Sequence, residues 1–280
     1  MEQNQLLRKL RIERKLTQQQ LSTGISTRTT LNSYEHDGSK ISFYILSQYL
    51  QRMNISFEEF EYMLNDDNFN FRKKLANQTR SALDSKFDPE FAENLLSLYH
   101  ENYDFYFYGL YAQYYLVRWF KKDKLEDDTI DEIKDNVRNY LDGIDTWGRF
   151  ELSLFSNCLF IFDQNYINFQ FKETIVYMKL YSDSSNLSGD RLKFVINASI
   201  LAYTRNDYEG MTIFLKELRI IAQTSNSLEA RVVIKVLGLL NANKNGSDNQ
   251  TEKDKLLRTL NYLDEKGWAN FLRKHYITRD

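Results

Sequence analysis

The chain has 280 residues, 42% hydrophobic and 27% charged, with a formal net charge of −2; this is globular composition, not that of a disordered tail. One proline and ten glycines are too few for the tight turns of a sandwich or barrel, or for the glycine-rich loops of a doubly wound sheet. Cys158 is the single cysteine, which excludes an internal disulfide; with no signal-peptide pattern and no run apolar enough to span a bilayer, a cytoplasmic protein is expected.

In chain order, the first elements are short. Leu7, Leu10 and Leu16 line one face of a first helix and its exit. Thr17 and Gln20 form a Thr-x-x-Gln capping box, which predicts a very short helix over 18–23 stopped at Gly24. Ser26 is placed to cap the next helix, over 27–35. Ile41, Ile45, Leu46, Tyr49 and Leu50 describe a fourth helix, and Ser56 with Glu59 caps a fifth. Helices this short need a shared core, so residues 1–65 are expected to form one five-helix domain.

The second and third of these helices have helix-turn-helix spacing, in which the second helix enters the major groove of DNA with its N-terminal side chains facing base edges. Leu31 and Tyr34 should point inward, and Arg28, Thr29, Asn32 and Ser33 outward. Arg28 suits guanine, Asn32 adenine, and a threonine methyl the methyl of thymine. Gln18 and Thr27, at helix N-termini, are placed to hold phosphates. Near-neutrality of the whole chain is no objection. Between residues 3 and 40 there are seven basic residues against three acidic ones, a local charge of +4, so a basic N-terminal face is concealed in the total.

From residue 66 onward the patterns lengthen. Asp88-Pro89 reads as an N-cap and first helical position. The helix over 103–120, "YDFYFYGLYAQYYLVRWF", has aromatics around its whole circumference, suited to packing repeats, to a dimer seam or to a pocket wall. The acidic run at 126–135 reads as a solvated helix start. Helix starts at Thr146, Ser188 and Ser227 are spaced by roughly 40 residues, the scale of one helical hairpin. "DQNYINF" at 163–169 and "TRNDYEG" at 204–210 take matching turn positions in successive hairpins. The expectation is all-α: the helix-turn-helix domain over 1–65, then a right-handed solenoid similar to tetratricopeptide repeats over 66–280.

Two resemblances rest on these residues. "LRKLRIERKLTQQQLSTGISTRTTLNSYEHDG" resembles the Cro/C1-type helix-turn-helix, which implies an ion pair between Arg11 and Glu35; "EHDG" replaces the usual "E-x-G". "TWGRFELSLFSNCLFIF" at 146–162, with "NASILAY" and "LRKHY" further on, resembles the Rgg/GadR/MutR family of transcription regulators. That resemblance implies a double-stranded DNA operator, a short signalling peptide on the concave face, and a homodimer formed through the repeats. Candidate peptide contacts are Asn157, Phe160, Ile161 and Gln164 on one inner helix, Asn197, Ile200 and Leu201 on the next, and Lys235 for a peptide carboxylate. Several family members carry arginine near the position of Phe160.

No catalytic, metal or cofactor motif was found: no phosphate-binding glycine loop, no spacing that would join His36, His100 and His275, and Cys158 lies in an apolar run. A dimeric repressor without a ligand, its repeats serving only dimerisation, is the alternative.

Overall fold

A computed structural model describes residues 1–64, 67–121, 123, 125–181, 188–247 and 249–277. The described residues form sixteen α-helices and one 3-10 turn, and divide into two compact units, Met1–Asp84 and Ser85–Asp280. The expected boundary at 65/66 falls outside the described residues. The helix that follows it groups with the first unit.

In the first unit, helices α1 (Gln3–Glu13), α2 (Gln18–Ser22), α3 (Arg28–Asp37), α4 (Phe43–Arg52) and α5 (Phe57–Leu64) precede a longer α6 (Asp67–Ala82). Leu6, Leu7, Leu10, Leu21, Leu31, Tyr49 and Phe60 are almost fully buried in one core, with Leu16, Ile41 and Ile45 packed partly against it. Thr17 caps α2 as a reciprocal box, its Oγ1 accepting the Gln20 amide at 3.1 Å while Gln20 Oε1 accepts the Thr17 amide at 2.8 Å. Ser56 and Glu59 repeat the device at α5. Gly38 ends α3 with φ +65°, a left-handed cap that glycine adopts without Cβ strain. The residue between Glu35 and this glycine that exceeds the usual motif is absorbed by a longer helix.

The second unit contains α7 (Pro89–Asn102), α8 (Phe105–Phe120), α9 (Asp127–Asp142), α10 (Arg149–Asn157), the 3-10 turn Leu159–Ile161, α11 (Gln164–Tyr181), α12 (Ser188–Arg205), α13 (Tyr208–Thr224), α14 (Leu228–Lys244), α15 (Gln250–Tyr262) and α16 (Lys266–His275). Neighbours in sequence pack as hairpins, and alternate helices α8, α10, α12, α14 and α16 touch in succession. That is the arrangement of a tetratricopeptide-like helical repeat. Asp88 Oδ1 accepts the amides of Glu90 and Phe91 and opens α7 ahead of its proline.

One expectation changes here. Thr146 does not start α10; Gly148 does, its amide donating to Glu151 Oε2 at 2.8 Å. Trp147 is buried with its indole N–H on the Leu141 carbonyl at 3.0 Å, and holding that ring keeps Thr146 and Trp147 out of the helix. The aromatic helix α8 packs against neighbouring elements of the second unit. Tyr114 is fully buried against Phe87 and Phe91, Phe105 stacks on Tyr140, and a Cβ on Gly109 would lie 2.8 Å from the Phe150 ring.

The matching turns are built alike. Asp163 Oδ1 accepts the Tyr166 amide at 2.9 Å, and Asp207 Oδ1 the Gly210 amide at 3.1 Å. Asn168 then donates to Asp207 Oδ2 at 3.1 Å, joining one turn to the next.

Candidate functional site

In the first unit, the turn between α2 and α3 leads into a helix whose buried side is Leu31, Tyr34 and Glu35. Arg28, Thr29 and Asn32 are exposed along its start and Ser33 is half-buried. Thr27, not Ser26, is the cap: its Oγ1 accepts the Thr30 amide at 3.0 Å. Ser26 hydrogen-bonds the Tyr49 hydroxyl on α4 instead, a long-range partner that local sequence does not reveal.

Beneath this face, Arg11 grips Glu35 with both arms of its fork, Nε to Oε1 at 2.6 Å and Nη2 to Oε2 at 2.7 Å. Its third arm donates to the Leu16 carbonyl at 2.7 Å. Gln18 Nε2 donates to Glu35 Oε2 at 2.9 Å and to Asn32 Oδ1 at 3.2 Å. A buried ion pair therefore extends through one amide to an exposed side chain of α3. Arg52 donates from Nη1 to the carbonyls of Gln20, Leu21 and Thr23, closing the C-terminal end of α2 where carbonyls lack helical partners. Sequence reading missed both the Gln18 link and Arg52, since each depends on residues brought together by the fold.

In the second unit, the four candidate peptide residues expected on one inner helix fall on three elements. Asn157 is the last residue of α10, exposed, with Nδ2 donating to Gln113 Oε1 at 2.7 Å. Phe160 and Ile161 lie in the 3-10 turn, half-buried, and Phe160 stacks on Phe120 with ring centres 4.6 Å apart. Gln164 begins α11, where it donates to Asn168 Oδ1 at 3.1 Å. The expected single inner helix through these four is broken because Cys158 and Leu159, both buried, turn the chain at the end of α10.

Asn197, Ile200 and Leu201 lie on α12, with Asn197 exposed and the other two half-buried. Asn197 Nδ2 donates to the Ser156 carbonyl at 3.4 Å, so Asn157 and Asn197 occupy neighbouring helices of the row. Arg205, near the end of α12, donates to the carbonyls of Phe162 at 2.7 Å and Phe160 at 2.9 Å. Burial pulls its guanidinium below the usual range, against an opposing pull from the Asp163 carboxylate. Sequence reading did not single out this arginine, although a 3-10 break with freed carbonyls calls for such a donor. Lys235 is exposed on α14. No hydrogen bond or ion pair among the described residues joins it to the others.

Cys158 is fully buried, and desolvation pushes its thiol up to about 12. Among the described residues no helix is long and apolar enough to cross a membrane, and no group of His, Cys, Asp or Glu is arranged to hold a metal ion.

Fold and face define a helix-turn-helix unit joined to a helical-repeat unit. Residues 7–60 match the helix-turn-helix family model and residues 92–274 match that of the HTH-type transcriptional regulator Rgg, C-terminal domain. The chain belongs to the Rgg family of helix-turn-helix transcriptional regulators. No curated protein sequence matches it. Among solved structures, the Streptococcus dysgalactiae SHP pheromone receptor Rgg2 is similar at 17% identity, with 97% of this chain and 98% of that one covered and a TM-score of 0.71. The PrgX/cCF10 complex matches at 13% identity over 98% of each chain, TM-score 0.69. Bacillus thuringiensis PlcR in complex with the peptide PapR7 and DNA matches at 17% identity over 96% and 98%, TM-score 0.60.

Proposed function

We propose that this regulator reads its operator through α3 and is controlled by a short apolar peptide held against the row α10, α12, α14. In this reading Arg28, Thr29 and Asn32 meet base edges, Ser33 stands at their margin, and Gln18 and Thr27 serve the phosphates. Asn32 Oδ1 keeps a second lone pair beyond its bond to Gln18, so it can still accept from adenine while Nδ2 donates. The protein works as a homodimer, because one such module has a small footprint and two half-sites supply the rest. The DNA partner makes the cytoplasm its place of action.

The observation that carries the peptide half is the pair Asn157 and Asn197. They are exposed amides on adjacent helices, flanked by half-buried Phe160, Ile200 and Leu201. Amides for the peptide backbone beside apolar walls for its side chains are what an extended peptide requires. Peptide and pheromone complexes of the similar proteins support the same reading. Lys235 would serve the peptide carboxylate. Gln164 and Ile161 stand at the edge of this set, beyond the turn that ends α10.

The test is limited proteolysis of the full chain with synthetic apolar peptides encoded beside its gene. A cognate peptide should protect residues 85–280, and Asn157→Ala with Asn197→Ala should abolish that protection. A protein whose repeats serve only dimerisation would show no protection by any of them.

A further inference from the structure

A cavity lies apart from the row of peptide candidates, between the α9–α10 connection and α11. It measures about 120 Å³, several times the ~10–15 Å³ that one water needs. One side is a stripe of α11, with Gln170, Glu173, Thr174 and Tyr177 spaced so that all face one way. The other side is the end of α9 and the connection after it, with Asp142, Asp145 and Trp147.

Three carboxylates line this cavity and no lysine or arginine does. Asp142 is partly used, its Oδ1 accepting the Tyr166 hydroxyl at 2.7 Å. Asp145 and Glu173 are exposed and form no ion pair among the described residues. An independent observation comes from Thr174. It lines the cavity, is 1% exposed, and its Oγ1 has no hydrogen-bond partner among the described residues. A buried hydroxyl without a partner is costly. In a helix it ordinarily bonds back to a carbonyl one turn earlier, as Thr79 and Ser199 do here.

The geometry points to a binding site for a guanidinium group. Acceptors at several points around the cavity match a planar cation with five N–H donors. Trp147 and Tyr177 supply aromatic walls, on which a guanidinium packs more readily than a strongly hydrated ammonium. The Trp147 N–H is already committed to the Leu141 carbonyl, so the ring offers its apolar surface and adds no competing donor. The guanidinium can arrive as a small free cation or as an arginine side chain on a peptide.

Trp147 provides the readout. In full-length protein labelled with 5-fluorotryptophan, the three tryptophans give three fluorine resonances, and Trp147→Phe assigns the one of interest. Methylguanidinium should shift the Trp147 resonance saturably and leave those of Trp119 and Trp268 in place. Glu173→Gln with Asp145→Asn should weaken the apparent affinity about tenfold, as loss of charge-assisted bonds requires. Thr174→Val, nearly isosteric, should weaken it by roughly threefold without lowering the melting temperature. N-acetyl-arginine amide separates the sources: saturation by it as well admits a chain-borne arginine, and saturation by methylguanidinium alone restricts the site to a free cation. The assignment is overturned if sodium chloride or tetramethylammonium at equal concentration gives the same shift, if all three tryptophans move together, or if the carboxamide variants bind as wild type.

Discussion

At the scale of single residues, Arg11 and Glu35 show why an ion pair inside a small domain is a structural commitment. Both side chains are nearly buried, so deleting one leaves a desolvated charge without its partner. Arg11→Ala or Glu35→Ala should each destabilise the first unit by about 3–5 kcal/mol, measurable as a shift in its urea midpoint. Asn32 should then lose its constraint too, because Gln18 bridges it to Glu35. Arg28 behaves differently, being exposed. Arg28→Ala should leave the urea midpoint unchanged while costing about 1–3 kcal/mol of operator binding, read by fluorescence anisotropy at fixed salt. Cys158 adds a pH dependence. Its folded pKa is raised from 9.0 to about 12, so the native thiol keeps a proton that the unfolded one loses. The associated stability is complete below pH 9 and drains away as pH rises toward 12. Between pH 9 and 11 wild type should therefore lose stability more steeply than Cys158→Ala in urea titrations.

At the scale of elements, much of the first unit is legible because its caps are local. Thr17 with Gln20, Ser56 with Glu59, and Asp88 before Pro89 lie within three residues of what they satisfy, so spacing alone finds them. The misplaced starts have the opposite character. Ser26 and Thr27 are equally good caps by type, and a tyrosine 22 residues beyond Thr27, on α4, takes the serine. Thr146 fails because Trp147 must reach the core, and the break after Asn157 follows from burial of Cys158 and Leu159. Gly210 illustrates a demand invisible in sequence. A Cβ there would lie 2.0 Å from Asp207 Oδ2 and 2.9 Å from Asn168 Oδ1, inside the joint between successive turns. Gly210→Ala should displace that cap and its bridge, costing roughly 1–3 kcal/mol, seen as a lower melting temperature. Asn168→Ala should recover none of it, since the Asp207 side chain is the nearer obstacle.

At the scale of the whole molecule, periodicity without glycine or proline was enough for an all-helical chain with a longer-period second part. Period alone does not mark where α6 belongs, because this helix is as long as those of the repeats and yet groups with the first unit. The candidate site was legible unevenly. Exposed positions on α3 follow from helix geometry, whereas peptide candidates chosen on one assumed helix were dispersed by the 3-10 turn. Charge has a whole-molecule consequence as well. The basic excess is concentrated in residues 3–40, so operator affinity should fall linearly in log–log with salt. Light scattering should give twice the 33.4 kDa of one chain. Residues 1–84 alone should bind the same operator far more weakly.

Arg205 has a final consequence for which mutations the chain can tolerate. It delivers its guanidinium to two backbone carbonyls at once, Nη1 to that of Phe162 and Nη2 to that of Phe160. A lysine in its place keeps the formal charge and leaves every tally of acids and bases unchanged. Its single nitrogen replaces two that a rigid fork holds apart. In a library of variants, Arg205 should therefore reject lysine as firmly as it rejects alanine, while Arg8 and Lys9 on the surface exchange freely.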